Sequence, residues 1–411
     1  RARWIAGSRL LNTRLYFNRN PKTFVLDAPT AIGTPGAPNS TRVDNAGPTF
    51  DGLRHDPAVP DVGQPVTVSV GIDDPDGLAS ATLHYSVAGG GWQQAAMTAT
   101  DGRHSATLPG QAASTLVQFY VEAADAGGAT ATFPALGPDS RALYMVNDGE
   151  AAPLLNNFRI LMTAADSGFL HTDINVMSND PLGGTVISRE RDIYYDVGIR
   201  LKGSERGRTS DAKSGYRVGF NADRLFNGVH DNVSVDKSSL PDLSRFPETF
   251  THQAMNRSGG ELTKYSDWIK LIAPRTARTC VAQLQLGHYA DGFLDGQFED
   301  GGDGDLFEFE YVYYPTTADA NGNKFPQPDN YVSTTLRDHG PDKEDYRHTF
   351  LPKNNRARDD FGPLMGFVSV MDLTGSAFRE QLPGVIDVDQ WLRAWAYAIA
   401  NGCQDNFSID R

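Results

Sequence analysis

Hydrophobic and polar positions alternate with a period of two along much of the chain. Val66, Val68, Val70 and Ile72 alternate with polar or small residues, as do Ala81, Leu83, Tyr85 and Val87, and then Val117, Phe119, Val121 and Ala123. That period places the apolar members of each set on one face of a strand. Turn signals separate the sets: Asp74-Pro75-Asp76-Gly77, Gly89-Gly90-Gly91, Asp101-Gly102 and Gly127-Gly128. Later, Ile193, Tyr195, Val197, Ile199 and Leu201 alternate outward, and Tyr216, Val218 and Phe220 alternate back, which predicts a hairpin.

Helical spacing is rarer. A helix is predicted after Pro247, with Phe250, Ala254 and Met255 on one side and Gly259-Gly260 ending it. Asp387 and Gln390 form a capping-box-like start to a second, where Trp391, Trp395 and Ile399 share a face and Gly402 terminates it. Strand-like pieces fall at 268–272 and 281–286, and 315–363 is rich in Pro, Asn, Asp and Gly and reads as a long excursion. Two linkers divide the chain, at 34–40 and 147–153. The expected organisation is multidomain. Residues 1–48 are the tail of an upstream β domain, and 49–148 an all-β sandwich, immunoglobulin- or fibronectin-like but without the Cys…Trp…Cys pattern of antibody domains. Residues 154–411 form an α+β domain.

Composition narrows the function classes. The chain has 411 residues, 39% hydrophobic and 21% charged, which is globular and excludes wholesale disorder. No apolar run approaches the ~18 residues of a membrane helix. Net charge is −14, from 37 basic and 51 acidic residues, which argues against nucleic acid as a partner. That charge is uneven: +5 over 1–48, −8 over 49–148 and −11 over the remainder. Cys280 and Cys403 permit at most one disulfide, and two ordinary thiols are the alternative. The chain opens on Arg1 without a signal peptide and stops at Arg411 just past a helix, so it reads as an excerpt of a longer protein.

Candidate chemistry sits at three places. The predicted hairpin, 198–217, holds Arg200, Lys202, Arg206, Arg208, Lys213 and Arg217 against Glu205 and Asp211, a +4 island. Gly198, Gly203, Gly207 and Gly215 let backbone amides approach a ligand, so phosphate is the matching chemistry; a solvated hairpin tip is the alternative. Residues 291–310 carry eight carboxylates and no base, and Asp303-Gly304-Asp305 is a candidate for calcium, against a solvated acidic loop. Asp73, Asp74 and Asp76 also offer oxygens for calcium, although a solvated turn accounts for them as well. Asp405, on a short loop leaving the tryptophan helix, is placed for a general base, although taken alone an ordinary surface residue accounts for it as well.

These pieces, in this order, resemble the spore-coat-protein-H (CotH) kinase-like family from about Asn156 onward. Val197-Gly198-Ile199-Arg200-Leu201-Lys202-Gly203-Ser204, followed by Lys213-Ser214-Gly215-Tyr216-Arg217-Val218-Gly219-Phe220, is similar to the family's "R-x-(R/K)-G-x-S … K-x-x-Y-(R/K)-x-x-F" hairpin. Tyr289-Ala290-Asp291-Gly292-Phe293-Leu294 through Gly304-Asp305-Leu306-Phe307 is similar to its "(D)-x-F-L … G-x-L-(Y/F)" region. Trp391-Leu392 through Ala400-Asn401-Gly402 and Asp405 resembles its helix and "G-N-x-D" loop. Thr34-Pro35-Gly36-Ala37-Pro38-Asn39 is similar to the end of a lamin-tail domain.

The resemblance implies an atypical protein-kinase-like fold, C-terminally incomplete here, that transfers phosphate from ATP with magnesium to protein hydroxyls. Lys213 would hold ATP phosphates, Arg200 and Lys202 would add supporting charge, and Asp405 would be the base. It also implies an extracellular or cell-surface bacterial protein whose partners are protein substrates or other surface proteins. Two departures point to the alternative, an inactive structural or adhesion protein. Val-Ala-Gln-Leu-Gln-Leu-Gly at 281–287 lacks the carboxylate of the family's "Y-x-L-x-E" strand, and the metal-binding "W-D-x-D" segment would fall beyond Arg411.

Overall fold

A computed structural model of the chain describes residues 45–154, 156–176, 178–203, 208, 215–236, 246–258, 264–289, 291–309, 312–318, 324–332, 336–347 and 349–400. Residues 1–44 of the suggested upstream β domain at 1–48, together with Lys213, Cys403 and Asp405, lie outside the described residues.

The first body is built from nine strands: β1 (Thr49–Asp56), β2 (Val66–Asp73), β3 (Leu78–Val87), β4 (Gln93–Ala96), β5 (Thr98–Thr100), β6 (Arg103–Leu108), β7 (Leu116–Asp125), β8 (Thr130–Phe133) and β9 (Ala142–Met145). They form a four-stranded sheet in the order β1-β2-β6-β5 and a second in the order β4-β3-β7-β8, with β9 paired to β7. The alternating sets from both sheets meet in one core: Val66, Val68 and Val70 of β2 against Leu83 of β3 and Val117, Phe119 and Val121 of β7, all buried. Each buried aliphatic or aromatic side chain of this kind is worth about 1.5–3 kcal/mol, which is why the period of two fixes the pairing.

The second body is a closed barrel. Its strands are β10 (Asn156–Leu161), β11 (Leu182–Ser188), β12 (Asp192–Lys202), β13 (Gly215–Gly219), β14 (Asn232–Asp236), β15 (Ser266–Ile272) and β16 (Cys280–Leu286). They run around the barrel in the order β10-β11-β12-β13-β14-β16-β15. β10 and β15 close the ring by parallel pairing, Phe158 opposite Leu271, while every other seam is antiparallel. The inward set fills the barrel: Phe158, Ile160, Val197, Ile199, Leu201, Tyr216, Val218, Val233, Val235, Ile269 and Leu271.

A short helix, α1 (Ala164–Leu170), follows β10, its first turn capped by Thr163 Oγ1 accepting the Asp166 amide at 3.1 Å. The helix expected after Pro247 is α2 (Phe246–Ser258). The acidic stretch is not one loop. It contains α3 (Asp291–Gln297) and β17 (Phe307–Phe309). The excursion contains an antiparallel pair, β18 (Val312–Ala318) with β19 (Lys324–Val332), then α4 (Glu344–Arg347) and β20 (Phe350–Pro352), which pairs β17. Next come α5 (Gly362–Met371), α6 (Gly375–Gln381) and α7 (Val388–Ala400), where Asp387 Oδ1 accepts the Gln390 amide at 3.0 Å. Tyr346, Phe350, Phe361, Leu364 and Val368 make a separate small core. Among the described residues no helix is long and apolar enough to cross a membrane.

The two β bodies are joined by more than the chain. Tyr195, on β12, packs its ring against Phe119 at 5.7 Å, and its hydroxyl accepts the His55 amide at 3.0 Å and lies 2.6 Å from His55 Nδ1. His55 Nε2 is 2.9 Å from the Ala58 carbonyl, which can only accept, so Nε2 carries the proton and Nδ1 accepts from Tyr195. The Arg141 amide donates to Asp196, and the Leu143 amide to Thr185 Oγ1 at 3.0 Å. The linker itself is strapped to the barrel. Arg159, fully buried on β10, reaches Asp148 at 2.6 Å and Glu190 at 3.4 Å, and Lys270 reaches Glu150 at 3.2 Å.

Two outcomes follow. Asp148→Ala leaves the buried guanidinium with Glu190 alone and should cost about 3 kcal/mol, read from the urea midpoint at unchanged slope. His55 is held down at about 4, burial outweighing the Ala58 carbonyl and Asp56, against an ordinary 6.5. The unfolded chain therefore takes a proton that the folded chain refuses, and stability falls as pH drops from about 6.5 to about 4. Melting temperatures across this window should fall less steeply in His55→Gln; a parallel profile would contradict the assignment.

Candidate anion-binding site

The strand alternation that sends Ile199, Leu201, Tyr216 and Val218 into the barrel sends Gly198, Arg200 and Lys202 of β12, and Arg217 and Gly219 of β13, to its outside. Arg200 is directly opposite Arg217, Gly198 opposite Gly219, and Lys202 opposite Gly215. The row of residues without side chains continues to Gly183 on β11, and Asn232 stands beside Gly219 on β14. A shallow recess of about 140 Å³ results, lined by Asn179, Pro181, Gly198, Arg200, Arg217, Gly219 and Asn232. That is below the ~300–1,000 Å³ of sites enclosing whole small molecules. It suits one charged end of a ligand.

Each guanidinium is positioned by an amide oxygen. Asn179 Oδ1 accepts from Arg200 at 3.1 Å and from Arg208 at 2.9 Å, and Asn232 Oδ1 accepts from Arg217 Nε at 2.6 Å. These neutral partners orient the cations without discharging them. Among the described residues, neither Arg200 nor Arg217 has a carboxylate at ion-pairing distance. Burial, with Arg217 and Arg208 nearby, pushes Arg200 down to about 10. Burial also lowers Arg217, aided by Arg356 and opposed by Asp231 and Glu308. His288 is driven to about 4 by burial, Arg217 and Lys353, so it presents a neutral imidazole to these cations. Both guanidinium groups remain charged at neutral pH, half-desolvated and mutually repelling, a state that an incoming anion relieves.

Lys202 behaves differently. Its Nζ lies 2.5 Å from Asp236 across β13. Gly215 stands between the two strands there, where a Cβ would come within 2.1 Å of the Val235 carbonyl oxygen. The Lys202 charge is thus already matched. Beyond it, Gly203 turns the chain at φ +120°, a region that favours glycine, and its carbonyl accepts from Arg208 Nε at 2.7 Å.

Of the residues expected from sequence, Arg200 and Lys202 share one outer face, Arg200 in the recess and Lys202 in an ion pair beside it. Lys213 and Asp405 lie outside the described residues. In the sequence Arg217 is one charge among six and the basic position of the Tyr216-Arg217 motif, with no role attached to it. Asn179, Asn232 and His288 carried no sequence signal, since isolated amides and imidazoles are common. Among the described residues, carboxylates of the acidic stretch are met by bases: Arg358 lies 3.4 Å from Asp303 and 3.9 Å from Asp305, and Lys353 pairs with Glu308. Gln283 and Gln285, in the strand that lacks the family's carboxylate, are buried. They sit in register with inward-facing Ile269 and Val235.

No family model matches the chain, and no curated protein matches it. Some solved structures are similar in part. The Br derivative of BhCBM56 is 15% identical, with 16% of this chain and 71% of that one covered, at a TM-score of 0.15. The cycloalternan-forming enzyme from Listeria monocytogenes is 8% identical, with 45% and 17% covered, at 0.19. The twitchin kinase region from C. elegans is 11% identical, with 60% and 40% covered, at 0.19. The chain thus spans well under two thirds of the Listeria and twitchin chains, and scores this low carry no argument about fold or activity.

Proposed function

We propose that the chain belongs to a CotH-like phosphotransferase acting outside the cell or at its surface, in which an immunoglobulin-like sandwich precedes a kinase-like domain. ATP with magnesium would supply the phosphoryl group, and hydroxyls of a partner protein would receive it. One observation carries this reading: the Arg200–Arg217 pair, set beside a glycine row that is open at Gly219 and left without a carboxylate partner among the described residues. Phosphoryl transfer asks a protein mainly for positioning and for neutralisation of phosphate charge. Two oriented guanidinium groups meet that need for the phosphate end of a ligand. Gly219 keeps the approach open, because a Cβ there would meet only the Gly198 carbonyl oxygen, 3.9 Å away. On the family resemblance, Lys213 adds a further phosphate contact and Asp405 accepts the hydroxyl proton; Lys202, the other supporting charge implied there, is paired with Asp236 beside the recess.

A second reading is favoured by Gln283 and Gln285, which stand in the strand where the family's carboxylate is expected. In that reading the same recess binds an anionic group on a surface partner, and no transfer follows.

The full-length protein should bind ATP with magnesium. Charge-assisted hydrogen bonds are worth about 1.5–3 kcal/mol each, so Arg200→Gln with Arg217→Gln, which together lose two of them, should weaken binding by about a hundredfold or more. Calorimetry reads this directly, and unchanged affinity would sink the recess as the phosphate site. Transfer of labelled phosphate to an acceptor should vanish in Lys213→Ala and in Asp405→Ala. Nucleotide binding without any transfer in the unaltered protein would leave the second reading standing instead.

A further inference from the structure

A different group of carboxylates converges on the sandwich, well apart in sequence from the acidic stretch at 291–310. The turn after β2 carries Asp74 and Asp76, where the Asp76 amide donates to Asp74 Oδ1 at 2.8 Å. Leu78, opening β3, is in register with Asp125, which closes β7, and the Ala126 amide donates to the Gly77 carbonyl at 2.8 Å. The turn is thereby pinned against the end of β7. One carboxylate oxygen from each of Asp74, Asp76 and Asp125 lies within 4.8 Å of the other two. Among the described residues none of the three forms an ion pair with a lysine or arginine.

Asp125 is the telling member. It is 1% exposed, and its Oδ2 is closed off from solvent and accepts no hydrogen bond. Its Oδ1 accepts the Ala129 amide at 2.8 Å. The Asn45 side chain and the amides of Gly128 and Gly127 hydrogen-bond the same carboxyl. The group is therefore a buried carboxyl with one oxygen unmatched by any donor. Buried polar atoms in folded proteins are satisfied, and with two more carboxylates beside this one a cation is the matching partner.

We propose that Asp74, Asp76 and Asp125 form a calcium site that clips the β2–β3 turn to the end of β7. Hard carboxylate oxygens match calcium, which takes six to eight oxygens at about 2.4 Å, so that ligands of one ion lie up to about 4.8 Å apart. Asp76 is exposed and Asp74 half-buried, which leaves the outer side for water ligands. The ion ties together the two sheets, since β2 belongs to one and β7 to the other, and Asn45 brings the chain's entry to the same point. This site is independent of the phosphotransferase reading.

The test uses the whole chain, stripped with chelator and titrated with calcium chloride by calorimetry and thermal unfolding. One site is expected, with a dissociation constant in the roughly 10⁻⁴–10⁻³ M range of extracellular modules. A raised melting temperature should accompany it. Asp76→Asn, at an exposed position that leaves the core intact, should weaken binding about tenfold or more, and Asp125→Asn should abolish it. Asp303→Asn with Asp305→Asn should bind as the parent does. The site is overturned by absence of heat and of any melting shift at about 10 mM calcium, ten times the upper end of that range. Parent-like affinity in Asp76→Asn, or loss confined to the Asp303/Asp305 variant, overturns it equally. Nucleotide binding measured on the same samples reports separately on the Arg200–Arg217 recess.

Discussion

The parallel seam between β10 and β15 is the constraint on which the second body depends. Six antiparallel seams would leave an open sheet with two unpaired edges, and the seventh removes both. Closure fixes which side of every strand is inside. With Phe158, Ile199, Val218 and Leu271 committed to the interior, Arg200 and Arg217 have nowhere to go but out. A slip of one residue in β12 would bury Arg200 and expose Ile199, and one in β13 would do the same to Arg217 and Val218, so register here is set by several apolar side chains at once. The recess is thus a by-product of barrel packing, refined by the asparagines that aim its guanidinium groups.

The first body contributes to the same geometry from outside. Arg141, just before β9, donates its amide to Asp196 and its Nε to Asp166 at 2.5 Å. It also covers Gly183, where a Cβ would lie 2.8 Å from the arginine's Cγ. The row of bare backbone across β11, β12 and β13 is therefore closed at one end by the sandwich and open at Gly219. Tyr195 does the reverse, leaving its own barrel to join the aromatic packing around Phe119 and Tyr144.

Much of the strand pattern was legible because sustained alternation is what a half-buried strand requires, and a helix of 3.6 residues per turn would scatter the same side chains around its axis. β2, β3, β7, β12 and β13 fall where it occurs, and the cap of α7 is the Asp387–Gln390 pair that the sequence displays. What could not be read was non-local or locally ambiguous. The closing seam joins strands a hundred residues apart and leaves no pattern in either. α5 reads as an unbroken apolar run, Gly-Pro-Leu-Met-Gly-Phe-Val-Ser-Val-Met, which suits a buried strand equally well. The +4 hairpin identified cations but not their partners: Lys202 is matched by Asp236, and Arg200 is not matched by any described carboxylate. Asp74 and Asp76 read as an ordinary solvated turn because the carboxylate that stands beside them, Asp125, lies at the end of β7, remote in sequence.

The strapped linker has a mechanical consequence. A connection of seven residues between two bodies would ordinarily act as a tether that absorbs displacement. Here Arg159 and Lys270 fasten it at Asp148 and Glu150, and Asn157 holds Ala152 through both its amide nitrogen and oxygen. Tension applied through the sandwich is delivered along β10, a strand hydrogen-bonded on both edges. Load along a strand's axis stretches all its cross-strand bonds together, in shear, instead of opening them one at a time. The joint transmits force rather than dissipating it.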